Sequence, residues 1–230
     1  MDLTEESVDK CVLHKSFICN VCGGEFKERI IRQTKLKFIS SDTDLHPNFE
    51  PVDPLLYDVL VCPHCGYSAL NMFFNKVTSK QAAVIKREIT PKFAARNYSK
   101  VMTFAQALDK YMLALITAII RGSKKGELGY ICTKIAWVYR LMGKDERYKV
   151  FAAKAVTGFE AAYEQEDFPI CQMDEATLGY LVAYFKFVEE KYDDSLKWVS
   201  RIITNRNSSE RVKEKSRELK SVIQEKLRGK

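Results

Sequence analysis

The 230-residue chain is poor in the features that would take it out of the ordinary globular class. Ten glycines and six prolines exclude collagen-like and low-complexity readings. The longest apolar stretch, Tyr111 to Ile120, falls well short of the roughly 20 residues that cross a bilayer. No membrane span is expected. The opening MDLTEESVDK is acidic, whereas a secretory signal starts basic and continues into an apolar stretch. The expected location is therefore the cytoplasm. P-loop, dinucleotide-binding, G-x-S-x-G, H-E-x-x-H and paired-carboxylate patterns are all missing, so no enzyme is expected. A hydrophobic content of 46% still suffices for a buried core.

Seven cysteines are present. In a reducing compartment they do not form a disulfide framework, and an odd number cannot pair completely. Four of them fall into two C-x-x-C-G knuckles, Cys19-Asn20-Val21-Cys22-Gly23 and Cys62-Pro63-His64-Cys65-Gly66. Two intervening residues let one tight turn present both sulfurs to a single ion. The following glycine supplies the positive φ that closes the turn. Together the knuckles predict a tetrahedral metal site of Cys19, Cys22, Cys62 and Cys65. Between them an outgoing strand, a loop and a returning strand over Asp58–Val61 would form a zinc ribbon. Zn2+ is the expected ion, and rubredoxin-type Fe, with electron transfer as its function, is the alternative. Four protein sulfurs leave no open coordination position, so such a zinc is structural and not hydrolytic.

The remaining candidates are weaker. Cys11 and His14 form a C-x-x-H pair without two further ligands, and read as a surface thiol and imidazole. Asp42, Asp44 and His46 alternate, which in an extended segment would put them on one face for a cation or acid–base work. The commoner use of such aspartates is to cap backbone N–H groups in a turn. His64 reads as solvent-facing, and Cys132 and Cys171 as small buried hydrophobes. Trp137, Trp198, Tyr180, Tyr184, Phe185 and Phe187 fall at helical spacing as core residues, some of them placed to line a peptide groove.

The formal charge of +7 is confined to one end. Residues 1–95 and 96–196 are each neutral, while Lys197 to Lys230 holds eleven Lys/Arg against four Asp/Glu. A four-thiolate zinc would leave the ribbon slightly anionic, which disfavours nucleic acid there. The terminal helix, with Arg211, Lys213, Lys215, Arg217, Lys220, Lys226 and Arg228, is basic enough to touch phosphates. A solvated helix packed through Val212, Leu219, Val222, Ile223 and Leu227 is the expected use.

The pattern predicts an α+β, mostly α protein: a small zinc-ribbon-like β module over 1–78, then an antiparallel tetratricopeptide-like helical array over 79–230. Alternation in Lys35–Phe38 and Tyr57–Val61 suits strands. The three prolines in Asp42 to Pro54 exclude a helix or central strand and predict an ordered loop. Helices are expected over Ser79–Ile89, then from the Thr103/Gln106 capping box to Gly122, with Phe104, Leu108, Tyr111, Met112, Leu115, Ile116 and Ile119 inward. Others follow over Glu127–Met142, with a stripe of Leu128, Ile131, Ile135, Val138 and Leu141, then Asp145–Glu164, Asp174–Lys191, Asp193–Thr204, and Ser208 or Ser209 to the end. Thr177–Ile203 is similar to a tetratricopeptide unit, with Ala183 and Ser195 as interlocking small residues. It departs from that repeat at Lys186, at Glu190 and at Ser195, which stands for the usual alanine, and a generic antiparallel helix hairpin is the alternative reading. Lys134–Tyr163 has the same outline, and hairpins of this kind bury their apolar faces by stacking.

The run FICNVCGGEF…DTDLHPNFEPVDPLLYDVLVCPHCGYSA resembles the bacterial domain-of-unknown-function family 2225. The motif positions are Cys19, Cys22, Asp42, Asp44, Pro54, Tyr57, Cys62, Cys65, Gly66 and Tyr67, and with the helices the resemblance covers Phe17 to Arg206. It implies a bacterial origin and a bound metal, and it brings no substrate with it. The expected function is a non-enzymatic protein-interaction or scaffold protein whose helical domain engages a protein partner. Nucleic-acid binding through the basic terminal helix stands as an alternative.

Overall fold

The structure, a computed structural model, describes residues 5–229. Met1–Thr4 of the acidic opening and the terminal Lys230 lie outside the described residues. The chain is α+β and mostly α. Strands β1 (Val12–Ile18), β2 (Glu25–Ile31), β3 (Lys37–Ser41), β4 (Pro47–Glu50), β5 (Val59–Val61) and β6 (Ser68–Leu70) pair consecutively as two-stranded sheets. A short helix, α1 (Glu5–Cys11), precedes them, and α2 (Ser79–Glu88), α3 (Phe104–Ile120), α4 (Lys125–Leu141), α5 (Asp145–Gln165), α6 (Glu175–Val188), α7 (Tyr192–Thr204) and α8 (Glu210–Arg228) follow.

Two compact units result. One holds the chain up to Ser40, Pro47–Ser123 and Trp137–Gly143; the other holds Ser41–His46, Lys124–Ala136 and the chain from Lys144 on. Helices α2 and α3 thus share a unit with the cysteine knuckles.

In the first unit the β1–β2 and β5–β6 hairpins each carry one knuckle in their turn. A third hairpin, β3–β4, intervenes where a single loop is expected. Its Pro47 opens β4, a position that needs no ladder hydrogen bond in so narrow a sheet. Pro54 begins a 3₁₀ turn over Pro54–Tyr57, capped by the Asp53 carboxylate accepting from the Leu55 N–H at 2.9 Å. The returning strand therefore starts at Val59. Phe17, Phe26, Phe74, Tyr67, Leu60 and Ile85 form the core beneath the knuckles.

Helix α3 opens with the expected Thr103/Gln106 box and stops before Gly122, φ +66°. Its facing is a correction. Ala107, Lys110, Tyr111, Ala114, Leu115 and Ala118 are buried, whereas Ile116 and Ile119 are 47% and 59% exposed. The helix packs on β5 and β6, and its alanines permit a close approach that isoleucine would block.

In the second unit α5, α6, α7 and α8 pack in sequence. Ser195 donates to the Ala183 carbonyl at 2.7 Å, so the two small residues do meet across the α6–α7 hairpin. Glu190 turns that corner at φ +61°, a left-handed conformation that glycine adopts more readily. It ends α6 at Val188, earlier than Lys191. Lys186 is buried, 3.0 Å from Glu160. Helices α4 and α5 meet backbone to backbone: a Cβ on Gly158 would lie 2.7 Å from the Gly129 nitrogen. On α8, Val212, Leu219 and Ile223 are buried as expected, while Val222 and Leu227 are exposed.

Candidate metal centre

Each knuckle is built from local backbone bonds. Cys19 N–H donates to the Gly24 carbonyl at 3.0 Å and Gly23 N–H to Cys19 at 2.8 Å. The second turn repeats this, Cys62 N–H to Tyr67 at 2.9 Å and Gly66 N–H to Cys62 at 3.0 Å. Gly23 and Gly66 share φ +77°, which non-glycine residues rarely adopt. A Cβ on Gly66 would also lie 2.4 Å from the Phe93 ring. The segment after α2 thus lies on the second knuckle, and Thr90 donates to the Cys65 carbonyl at 3.1 Å.

These turns bring all four sulfurs within 4.8 Å of one another. Cys19 faces Cys65 and Cys22 faces Cys62, both at 3.7 Å. A tetrahedron with metal–sulfur bonds of about 2.3 Å has edges of about 3.8 Å. Two of the six edges already have that length, and the quartet can hold a metal ion. Cys19, Cys62 and Cys65 are buried, and Cys22 is exposed.

Backbone N–H groups converge on the sulfurs in the same pattern at both knuckles. Cys22 and Val21 donate to Cys19, and His64 and Cys65 to Cys62. Gly24 donates to Cys22 at 3.4 Å, and Tyr67 donates to Cys65. Hydrogen bonds from the Cys62 and then the Cys65 thiol push Cys19 down to about 2. Serving Cys19 pushes Cys62 up to about 12, and Cys65 is raised by Cys19 and Cys62. Cys62 and Cys65 therefore keep their protons until a cation enters.

The other candidates sit elsewhere. His64 is exposed, as expected, but its Nε2 lies 2.9 Å from the Glu25 carbonyl, and its ring packs where a Cβ on Gly24 would be. It braces the first knuckle and is outside the quartet. Cys11 is buried, its Sγ 3.6 Å from the Lys35 carbonyl, and His14 is exposed on β1. The surface-thiol reading of Cys11 is thereby corrected. Among the described residues the quartet is the group of His, Cys, Asp or Glu donors that converges as metal ligands do. Cys132 is buried and Cys171 half-buried.

The Asp42–His46 loop belongs to the second unit and is held by tyrosines. Asp44 accepts from His46 N–H and from the Tyr148 hydroxyl, both at 3.3 Å. Tyr180 donates to the Thr43 carbonyl at 2.8 Å, Thr43 to the Tyr184 hydroxyl at 2.9 Å, and His46 Nδ1 lies 3.4 Å from Asp42. Capping is what Asp44 does here. The tyrosines that seat this loop fell at plain helical spacing, so nothing local in the sequence marked them as its partners.

Residues 12–223 match the family described as an uncharacterized protein conserved in bacteria, DUF2225. The chain belongs to DUF2225. No curated protein and no solved structure matches it. Both knuckles and the Asp42–His46 loop fall within the DUF2225 match. So do all but the last turn of α8 and the α1 helix. Among the described residues of this DUF2225 chain, no helix is long and apolar enough to cross a membrane.

Proposed function

We propose that this DUF2225 protein is a cytoplasmic, non-enzymatic zinc protein in which the metal braces the first unit and the helical unit engages a protein partner. The observation that carries the zinc reading is the closed quartet, with Cys19–Cys65 and Cys22–Cys62 at 3.7 Å. Four thiolates complete a tetrahedron and leave no position for substrate or water, which suits structure and not hydrolysis. Consecutively packed α5–α8 supply the kind of surface on which helical repeats hold peptides. Metal analysis with an absorption spectrum tests the ion: colourless protein with one zinc per chain is expected, and a red iron chromophore overturns zinc in favour of electron transfer. Affinity capture from bacterial lysate, read by mass spectrometry, tests the partner. Repeated absence of a stoichiometric protein overturns the interaction role.

A second reading draws on α8. Arg211, Lys220, Lys226 and Arg228 are exposed along this helix, whose buried residues include Val212, Leu219 and Ile223, and a basic stretch of this kind suits phosphates. It requires binding that weakens steeply with salt and vanishes when these four are neutralised; no binding at low salt ends it.

A further inference from the structure

The four ligands of the candidate metal centre are not equally protected. Cys19, Cys62 and Cys65 are 0%, 0% and 1% exposed, whereas Cys22 opens to solvent. The surroundings of the two knuckles account for the difference. Over the second, Phe93 lies 2.4 Å from where a Cβ on Gly66 would stand, and Thr90 donates to the Cys65 carbonyl at 3.1 Å. Over the first, a Cβ on Gly23 would meet nothing within 4 Å. A reagent in solution therefore reaches the quartet through one sulfur. Backbone bonding runs the same way: Cys19 accepts from the Cys22 and Val21 N–H groups and Cys62 from those of His64 and Cys65, while Cys22 accepts from Gly24 at 3.4 Å. Each N–H draws charge from a thiolate and blunts it as a nucleophile. Cys22 joins open access to lighter hydrogen bonding, the setting in which a thiolate is oxidised first.

The neighbour needed for a second step is in place. The sulfurs of Cys22 and Cys62 are 3.7 Å apart, in the turns of different hairpins. With hydrogen peroxide as the oxidant, the Cys22 thiolate attacks one peroxide oxygen. An S–O bond forms, the O–O bond breaks and hydroxide leaves, so the sulfur gives up two electrons and becomes a sulfenic acid. The Cys62 thiolate then attacks the Cys22 sulfur; an S–S bond forms, the S–O bond breaks and a second hydroxide leaves. Both hydroxides take protons from solvent. In sum, two thiolates, one peroxide and two protons give one disulfide and two waters. The tetrahedron has then lost two of its four donors, and Cys19 and Cys65 alone do not close it. The disulfide joins the β1–β2 hairpin to β5–β6, so the two stay tied after the site has opened.

We propose that Cys22 is an oxidation site, with Cys62 as its resolving partner, through which hydrogen peroxide opens the metal centre and releases its zinc. This rests on the zinc reading of the quartet. The test loads the full chain with zinc, adds hydrogen peroxide and follows release with a metal-sensitive dye, while dimedone traps the sulfenic acid and mass spectrometry locates the adduct and the disulfide. A dimedone adduct at Cys22, a Cys22–Cys62 disulfide, release of the bound zinc and its rebinding after dithiothreitol are expected. Brief iodoacetamide treatment of the zinc-loaded wild type should likewise label Cys22 ahead of the other three. Cys22→His keeps a zinc ligand and should release its zinc at least about tenfold more slowly, because the sulfurs that remain are buried. If that variant takes up no zinc, the wild-type labelling order decides alone. A first adduct at Cys19, Cys62 or Cys65, a disulfide between any other pair, or equally fast release from Cys22→His overturns the proposal. A chain that binds no zinc ends the zinc reading and this site with it; a chain that binds zinc and keeps it in peroxide ends this site alone.

Discussion

The sulfur of Cys19 lies 3.7 Å from that of Cys65, 46 positions further along the chain. That contact closes two separate hairpins on one point, so an ion there ties β1–β2 to β5–β6. Metal affinity at such a site is folding free energy. Removing the ion with a chelator should lower the melting temperature and increase amide exchange in β1, β2, β5 and β6. Cys62→Ser should abolish stoichiometric metal binding. Because the hydrogen bond to Cys19 raises the Cys62 thiol, loading should release protons, and affinity should rise with pH throughout the neutral and mildly alkaline range. An unchanged melting profile after metal removal contradicts a structural role.

The two knuckle glycines are alike in φ and different in surroundings. Around Gly23 nothing lies within 4 Å of a built Cβ, whereas Gly66 meets Phe93 at 2.4 Å. Gly23→Ala should therefore lose only the cost of a left-handed alanine, about 1 kcal/mol. Gly66→Ala adds overpacking, typically about 1–3 kcal/mol more. Chemical denaturation of the two variants orders them, and an equal loss from both sinks the argument.

What could be read ahead of the structure was local. A C-x-x-C-G knuckle fixes its own turn, so the four sulfurs were legible from spacing alone. The Thr103/Gln106 box marked the start of α3 for the same reason. The Thr78/Gln81 box of α2 was equally available in the sequence. Facing was another matter: a stripe of Ile116 and Ile119 looks like core by hydrophobicity, yet α3 turns its alanines inward because its distance from the sheet sets the residue size. Phe93 on Gly66 and the tyrosines around Asp44 are contacts between distant segments, for which one sequence holds no signal.

Lys110 and Glu28 form a pair that burial makes hazardous. The ammonium is 3.1 Å from the carboxylate, with side chains 2% and 14% exposed. Burial lowers the Lys110 pKa against the opposing pull of Glu28. Removing one partner leaves a charge stranded, so Glu28→Gln should destabilise by about 3–5 kcal/mol. The double variant Glu28→Leu/Lys110→Met should recover most of that loss. Urea midpoints of the single and double variants give the coupling; additive losses contradict a buried pair.

Gly158 in α5 and Gly179 in α6 make opposite forecasts for the same substitution. Alanine improves either helix by about 1 kcal/mol in propensity. At Gly158 that methyl would stand 2.7 Å from the Gly129 nitrogen and 3.0 Å from the Lys125 carbonyl, and rigid backbone has nowhere to go. At Gly179 it would make ordinary contacts of 3.4 Å to Trp198 and 3.5 Å to Ile202. Gly158→Ala should lower the melting temperature of the second unit, while Gly179→Ala holds or raises it. Differential scanning calorimetry of both variants decides, and a stabilised Gly158→Ala refutes the close helix contact.

Burial also sets the pH response of Cys132. It pushes this thiol up to about 11 from an ordinary value near 9.0. The folded state therefore keeps the proton after the unfolded chain has lost it. Its contribution to stability is whole below pH 9 and drains away as pH rises from 9 towards about 11. At about 1.4 kcal/mol per pH unit, the full window is worth about 2–3 kcal/mol. Cys132→Ala loses packing at every pH but should show a flatter decline over this range. The measurement is the difference in urea midpoint between wild type and variant at pH 8 and pH 10.5: it should narrow at the higher pH, and a constant gap would show that the thiol ionises as readily folded as unfolded.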